Sequence, residues 1–381
     1  MPRFYRQEPD GRIVPDRPGV PAIVNRAMLP RLSDSPSLRR PIVPLAEAVH
    51  ERVMIEIMRG CPNGCRFCQA GFTRLPVRIR KPEEIVDIAR EALAATGYKE
   101  ISLLSLSSSD YPNLEGLIDR LNAEFASQHV SISLPSLRVS SQLRILPKLT
   151  SGVRKGGLTI AAEAGSQRLR DLLNKGITEE DMLAGVRAAY EAGWRSVKVY
   201  FMAGLPTETD EDLDAIYRLC RKLSDARRDV DGQRGSITAS VSWFVPKPHT
   251  PMQWAAMRGA DYFWHVRNML RDLAKRSPVV FRFHRIERSL LEGALCRGGG
   301  ELADVIEAAW RGGCRMDSWD DQFSFPLWQA AFEQCGVDLD SIIGRQPDPD
   351  APTPWSHIRC FRGEDWLRAT AISEFGFQIS D

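Results

Sequence analysis

Between residue 51 and about residue 280 the chain alternates short strand-patterned runs with helix-patterned runs, and no other feature restricts its fold as much. Strand patterns fall at 53–57, 101–106, 130–134, 158–162, 197–202 and 237–245. Helical spacing lies between them: Ile85, Ile88, Ala89 and Ala92 after Pro82, then Leu114, Leu117, Ile118 and Leu121, with a further helix at 262–273. Thr178 with Asp181, and Thr209 with Asp212, have the spacing of capping boxes and so place two helix starts. Strands separated by helices at this interval predict parallel βα units, hence an α/β fold. Six units predict a partial (β/α)6 barrel, in which chemistry gathers at the C-terminal ends of the strands. The rhythm divides the chain into an irregular Pro- and Arg-rich extension (1–50), the βα core (51–280) and a small, mainly helical C-terminal appendage (281–381). Helices at 286–295 and 302–310, and an aromatic core of Trp319, Phe323, Phe325, Trp328 and Phe332, are expected in the appendage.

Directly after the first strand stands Arg59-Gly60-Cys61-Pro62-Asn63-Gly64-Cys65-Arg66-Phe67-Cys68. Three thiols lie within eight positions, and the next cysteine is Cys220. A structural zinc site would need a second cysteine pair nearby, which is missing. A disulfide would need an oxidising compartment, and packed free thiols would not need Gly60, Gly64 and Gly71 around them. A four-iron cluster takes four ligands, so three cysteines would leave one iron open to a substrate or cofactor.

CxxxCxxC with an aromatic residue before the last cysteine resembles the signature of the radical S-adenosylmethionine (SAM) superfamily, matched here by Cys61, Cys65, Phe67 and Cys68. The resemblance implies that these cysteines hold a [4Fe–4S] cluster. It also implies that SAM chelates the open iron through its amino and carboxylate groups and is cleaved reductively to a 5′-deoxyadenosyl radical, which takes hydrogen from a substrate. Further likenesses fall at strand ends. Ser107 and Ser108 stand where the superfamily binds the SAM amino group, although a serine-rich turn capping the next helix explains them equally. Glu163, in Glu163-Ala164-Gly165-Ser166, resembles the acidic residue near the SAM ribose or amino group; the alternative is an acid favoured at a helix N-terminus. Arg168 is expected either to meet the methionine carboxylate or to sit on the surface. Gly204 and Pro206, in "GLPTET", resemble the adenine-side turn, and Pro246 belongs to a proline-rich lip of the same kind. Lys198, Tyr200 and Met202 share one strand face and would contact substrate if that face is the interior. His249 is expected to be an exposed loop histidine or a proton donor.

Outside the core, Pro41–Pro44, Val49-His50, Leu134–Arg138, Lys155–Thr159, "RSLLEGALCRGGG" and "TPWSHI" resemble an uncharacterised bacterial subfamily. Its members usually carry an N-terminal cobalamin-binding-like domain. That domain is not expected here and no DxHxxG motif occurs, so cobalamin is expected only if another chain supplies it. The resemblance implies an electron donor, either a reductase or a flavodoxin or ferredoxin, and a substrate that the residues do not name. A net charge of +2 without a basic run gives no footprint of strong nucleic-acid binding. The polar N-terminus and the lack of a long apolar run predict a cytoplasmic chain without membrane spans. Two other readings stand beside a radical enzyme of unknown substrate. One is a methylthiotransferase-like RNA- or protein-modifying enzyme, which needs a second cluster. Cys296, Cys314, Cys335 and Cys360 could supply it, but their wide spacing reads as packed free thiols. The other is a non-catalytic iron–sulfur protein, which would not need SAM motifs at several strand ends.

Overall fold

The computed structural model describes residues 4–47, 51–134 and 158–375. The motif residues Val49, His50, Pro135 to Arg138 and Lys155 to Gly157 lie outside the described residues. Two parallel sheets form the core. In the first, β1 (Val53–Glu56), β2 (Glu100–Leu104) and β3 (Ser131–Ser133) lie in that order, with Val53 opposite Ile101 and Ile101 opposite Ile132. In the second, the order is β4 (Leu158–Glu163), β5 (Ser196–Ala203), β6 (Ser236–Trp243) and β7 (Val279–Phe283). The expected α/β fold of parallel units is therefore present. No ladder joins β3 to β4 among the described residues. β7 is a seventh strand that the helix–strand rhythm did not reveal.

Each helix forms for a local reason. Pro82 opens α1 (Pro82–Thr96) where its missing N–H costs nothing, and Gly97 ends it in the left-handed conformation (φ 72°). The Asn113 side chain caps α2 (Leu114–Phe125) through Gly116 N–H at 3.2 Å. Both expected capping boxes are formed, at α3 (Glu179–Glu191) by Thr178 and Asp181 and at α4 (Asp210–Asp225) by Thr209 and Asp212. α5 (Ala260–Leu273) leads into β7, and α6 (Ile286–Arg297), α7 (Leu302–Arg311) and α8 (Phe325–Gln334) follow it.

The sheets bury one face each. Val53, Ile55, Ile101, Leu103 and Ile132 pack on Ile85, Ile88 and Ala89 of α1 and Leu117, Ile118 and Leu121 of α2. Val197, Val199, Phe201, Ile237, Ala239 and Val241 pack on Val186 of α3, Leu213, Ile216 and Leu219 of α4 and Phe263 of α5. Each Val, Leu, Ile or Phe among them contributes about 1.5–3 kcal/mol by leaving water. Strand alternation turns Lys198, Tyr200 and Met202 of β5 to the other, concave face, where they are half-buried. The expected aromatic core is continuous with this second core rather than separate. Phe323, Trp328 and Phe332 join it together with Leu290, Ala294 and Val305, but Trp319 is 65% exposed and does not belong.

The N-terminal stretch is tied to the far end of the chain. Tyr5–Gln7 pairs antiparallel with Ile13–Pro15, while Val24–Asn25 pairs parallel with Ile358–Arg359. α9 (Glu364–Phe375) then lays Leu367 and Ala371 into an apolar cluster at the C-terminal ends of β5 and β6. Among the described residues no helix is long and apolar enough to cross a membrane.

Candidate functional site

The cysteine loop begins at Gly60, which holds φ 93°; a Cβ there would lie 2.9 Å from the carbonyl oxygens of Arg74 and Pro76. Only glycine lets the backbone fold this tightly. Cys61, Cys65 and Cys68 are all half-buried, and Cys68 stands at the start of the short helix Gln69–Thr73.

Two neighbouring strand ends clamp the loop. On the β4 side, Arg66 N–H donates to Leu173 O at 3.0 Å, and the Arg66 guanidinium donates to the carbonyls of Asp171 (3.0 Å) and Leu172 (2.8 Å). The Asn174 side chain donates to Asn63 O at 3.2 Å and Gly64 O at 3.0 Å. On the β2 side, Asn63 Nδ2 donates to Asp110 Oδ2 at 2.9 Å and also reaches Cys61 Sγ at 3.2 Å. Ser107 Oγ donates to the same Asp110 oxygen at 2.6 Å.

The thiols are electrostatically coupled. Burial pushes the Cys65 thiol up to about 11; Lys175 opposes that shift, while Cys68, Cys61 and Glu163 add to it. Burial also raises Cys68, against N–H groups of Gly71 and Ala70 aimed at its sulfur, with Cys61 and Glu163 again raising it. Each of these shifts includes a contribution from another cysteine of the loop, so the thiols lie within electrostatic reach of one another. Among the described residues no three Cys, His, Asp or Glu side chains converge on a single metal ion. In a multi-iron cluster each thiolate binds a different iron, so the three sulfurs need not converge on one point. The donors of Asn63, Ala70 and Gly71 and the ammonium of Lys175 suit sulfur ligands carrying negative charge. The residues present therefore fit such a cluster.

The other strand ends meet the loop from above. Glu163 closes β4 in the left-handed conformation (φ 67°), where the β4–β5 register shifts. Its carboxylate pairs with Lys175 at 2.9 Å, and both side chains are largely buried. Gly165 is required by packing, since a Cβ would lie 2.2 Å from Ile216 N of α4. Ser166 caps the helix Gln167–Leu172 through Leu169 N–H and donates to Asp212 Oδ1 at 2.6 Å. Arg168 is 51% exposed, as the surface alternative expects, and it donates to Thr207 Oγ1 and Thr207 O, both at 2.9 Å, and pairs with Asp212. It locks the β4 and β5 turns together. Burial would raise the Asp212 carboxyl, but Ser166, the Thr209 N–H and Arg168 outweigh it and hold it below its usual range.

After β5, Gly204 holds φ 90°, and a Cβ would come within 2.8 Å of Phe263. Glu208, 8% exposed, accepts from Gly204 N–H and from Tyr262 OH, each at 2.6 Å, so it braces the turn that contains Pro206. Burial pushes Glu208 up to about 7 despite these donors. After β6, Pro246 is buried, Gln69 Nε2 of the cysteine helix donates to Pro248 O at 3.2 Å, and Gln253 Oε1 accepts from His249 N–H at 2.8 Å. His249 is half-buried rather than exposed, and burial holds its imidazole below the usual value. Phe67, Ala164, Leu205, Phe244 and Leu367 share one apolar cluster. The ends of β1, β4, β5 and β6 thus meet in one place, with β2 joined through Asp110.

Ser107 and Ser108 are buried, and their hydroxyls are internally engaged, Ser107 by Asp110 and Ser108 by Ser105 at 2.9 Å. Cys314 lies within the second core, Cys296 and Cys335 pack at its margin, and Cys296 Sγ sits 3.6 Å from Lys247 Nζ. Lys175, Asn63, Asp110, Asn174 and Glu208 escaped the sequence reading. Asn63, Asp110 and Glu208 stood inside recognised motifs, whereas nothing local marks Lys175 and Asn174.

Residues 55–220 match the model of the Radical SAM superfamily. Over 204 residues the chain is 36% identical to the uncharacterized protein MJ0966 of Methanocaldococcus jannaschii, covering 52% of this chain and 42% of that one. Over 174 residues it is 29% identical to a tRNA-2-methylthio-N(6)-dimethylallyladenosine synthase of Staphylococcus epidermidis, covering 43% and 34%. A solved structure of the radical S-adenosylmethionine methyltransferase TsrM from Kitasatospora setae aligns with 58% of this chain and 41% of that one, at 20% identity and a TM-score of 0.39. The chain spans less than half the length of these curated relatives. With the three cysteines in the loop after β1 and the matched segment running from that strand into α4, the chain carries a radical SAM superfamily domain across residues 55–220.

Proposed function

We propose that the chain is a radical SAM enzyme in which Cys61, Cys65 and Cys68 hold a [4Fe–4S] cluster with one iron open to S-adenosylmethionine. When bound, the cluster and SAM supply one-electron reductive cleavage and a hydrogen-abstracting radical; the protein supplies position and exclusion of water. The observation that carries this reading is the gathering of three coupled thiols and four strand-end turns at one end of the parallel sheets.

The chain's own residues have separable tasks. Asn63, Asn174 and Arg66 fix the loop, so that the thiols are in place before the cluster binds. Lys175 offsets negative charge beside Cys65 and holds the Glu163 carboxylate, which accepts hydrogen bonds from hydroxyl or ammonium groups such as those of SAM. Glu208 and Arg168 hold the Gly204–Pro206 turn from opposite sides, so that its backbone and Leu205 form a fixed wall for an adenine ring. Phe67, Phe244 and Trp254 keep the region apolar. An external electron donor, a reductase or a flavodoxin or ferredoxin, delivers the electron, and the setting is the cytoplasm.

The test is anaerobic reconstitution followed by incubation with SAM and dithionite. 5′-Deoxyadenosine and methionine should form, and Cys65→Ala should abolish both products and the cluster absorption. Product formation that persists in Cys65→Ala overturns the ligand assignment.

A further inference from the structure

We propose that the substrate of this site carries an anionic group, a carboxylate or a phosphate, and that Lys198 on β5 and Arg282 on β7 receive it on the concave face of the second sheet. This rests on the radical SAM reading above and adds the chemistry of the molecule on which the site acts.

The alternation of β5 to β7 decides which side chains face inward. Val197, Val199, Ile237, Ala239, Val279 and Phe281 point to the helices. Their neighbours therefore line the opposite face. The register places Thr159, Lys198 and Thr238 in one row, and Ala161, Tyr200, Ser240 and Arg282 in the next. A barrel interior built only for stability is filled by bulky branched apolar side chains. This face instead presents the half-buried ammonium of Lys198, the half-buried phenol of Tyr200, hydroxyls of Thr238 and Ser240, and the exposed guanidinium of Arg282 on the edge strand.

The cations lack internal compensation. Lys198 Nζ lies 4.6 Å above the Tyr200 ring, and among the described residues no carboxylate pairs with Lys198 or with Arg282. On the neighbouring strand β4 the carboxylate of Glu163 is engaged by Lys175, and in the first sheet Glu56 is engaged by Arg59 and Glu100 by Arg52. A half-buried ammonium resting on an aromatic face, with a guanidinium two strands away, is a receptor for an anion rather than half of a structural ion pair.

Position along the strand gives the orientation. Met202, on the same face as Lys198, packs against the cluster that holds Phe67, beside the cysteine loop. Lys198 lies four residues back, about 13 Å at strand rise. A substrate anchored by its anion at Lys198 would extend along Tyr200 and bring its far end to the reacting end of the sheet.

The test uses the reconstituted protein and three probes that share a phenyl ring, the planar near-isosteres benzoate and benzamide and the larger phenyl phosphate, with affinities read by ligand-detected NMR at low salt. Both anions should bind more tightly than benzamide. Lys198→Met should weaken the anions about tenfold or more while leaving benzamide unchanged, Lys198→Arg should restore binding, and Arg282→Gln should cause a smaller loss. Preference for phenyl phosphate would identify a phosphate group on the substrate, and preference for benzoate a carboxylate; either supports the proposal. Benzamide binding as tightly as the anions, or anion affinity untouched by Lys198→Met, overturns it. SAM cleavage by the wild-type protein is measured in parallel: its absence refutes the enzymatic reading alone, because the probe affinities do not depend on it.

Discussion

Replacing Lys175 with Met removes the cation that pairs with Glu163 and sits beside Cys65. At 2.9 Å and an effective dielectric of 20, the direct attraction is about 6 kcal/mol. Much of it is offset by the cost of drawing both groups from water, since the side chains retain only 19% and 14% of their exposure. Removing one partner strands the other, so Lys175→Met should destabilise the apoprotein by about 3 kcal/mol. Glu163→Gln also leaves the Lys175 ammonium without a counter-charge, but should cost less, because the amide oxygen can still accept a hydrogen bond from it. The double variant should be more stable than the sum of the singles predicts, with a coupling of about 1–3 kcal/mol. Urea unfolding of the four apoproteins, followed by far-UV circular dichroism, measures this cycle. Additive losses would refute the claim that the pair acts as a unit. In the reconstituted protein, Lys175→Met should also lower the cluster's reduction potential, because a positive charge beside its sulfur ligands has gone.

Three other outcomes follow from the same geometry. Glu208 is raised from 4.5 to about 7 in the folded chain, so its contribution to stability is fully present below pH 4.5 and is lost as pH rises through 7. The loss amounts to about 3 kcal/mol, and Glu208→Gln should remove this part of the pH dependence in urea titrations at pH 5 and pH 8. If the two proteins show the same pH slope, Glu208 is not the group responsible. Gly165→Ala forces a methyl to within 2.2 Å of the Ile216 nitrogen and should cost about 3 kcal/mol or more; a melting temperature equal to wild type would show that β4 and α4 can part freely. Asn63→Ala severs the link from Asp110 to the Cys61 side of the loop, and should speed cluster loss to a chelator several-fold while the fold persists; unchanged loss kinetics would contradict the clamp.

Much of this architecture could be read from local patterns. The cysteine spacing, the two capping boxes and the apolar stripes of α1 and α2 each depend on residues within a turn or two of one another, and each is found where the pattern put it. What stayed hidden is non-local. Asn63 finds Asp110 across 47 positions, and Arg66 finds the Leu172 carbonyl across 106. No periodicity records such pairings. Arg168 is placed near SAM or on the surface by its position after the Glu163 motif, and its partners, Thr207 and Asp212, come from the next βα unit. β7 was missed because its five residues straddle position 280, where the helix–strand rhythm of the sequence ends, although Val279, Val280, Phe281 and Phe283 are all strand formers. Trp319 was assigned to a core by residue type alone, and exposure decided otherwise.

The central claim is that three thiolates leave one iron of a cluster open to SAM. Electron paramagnetic resonance of the dithionite-reduced, reconstituted protein tests it most directly, with iron counted in the same sample. About four irons per chain and a reduced-cluster spectrum that changes when SAM is added would agree with the account. A spectrum indifferent to SAM, or a chain that takes up zinc and no iron, would contradict it.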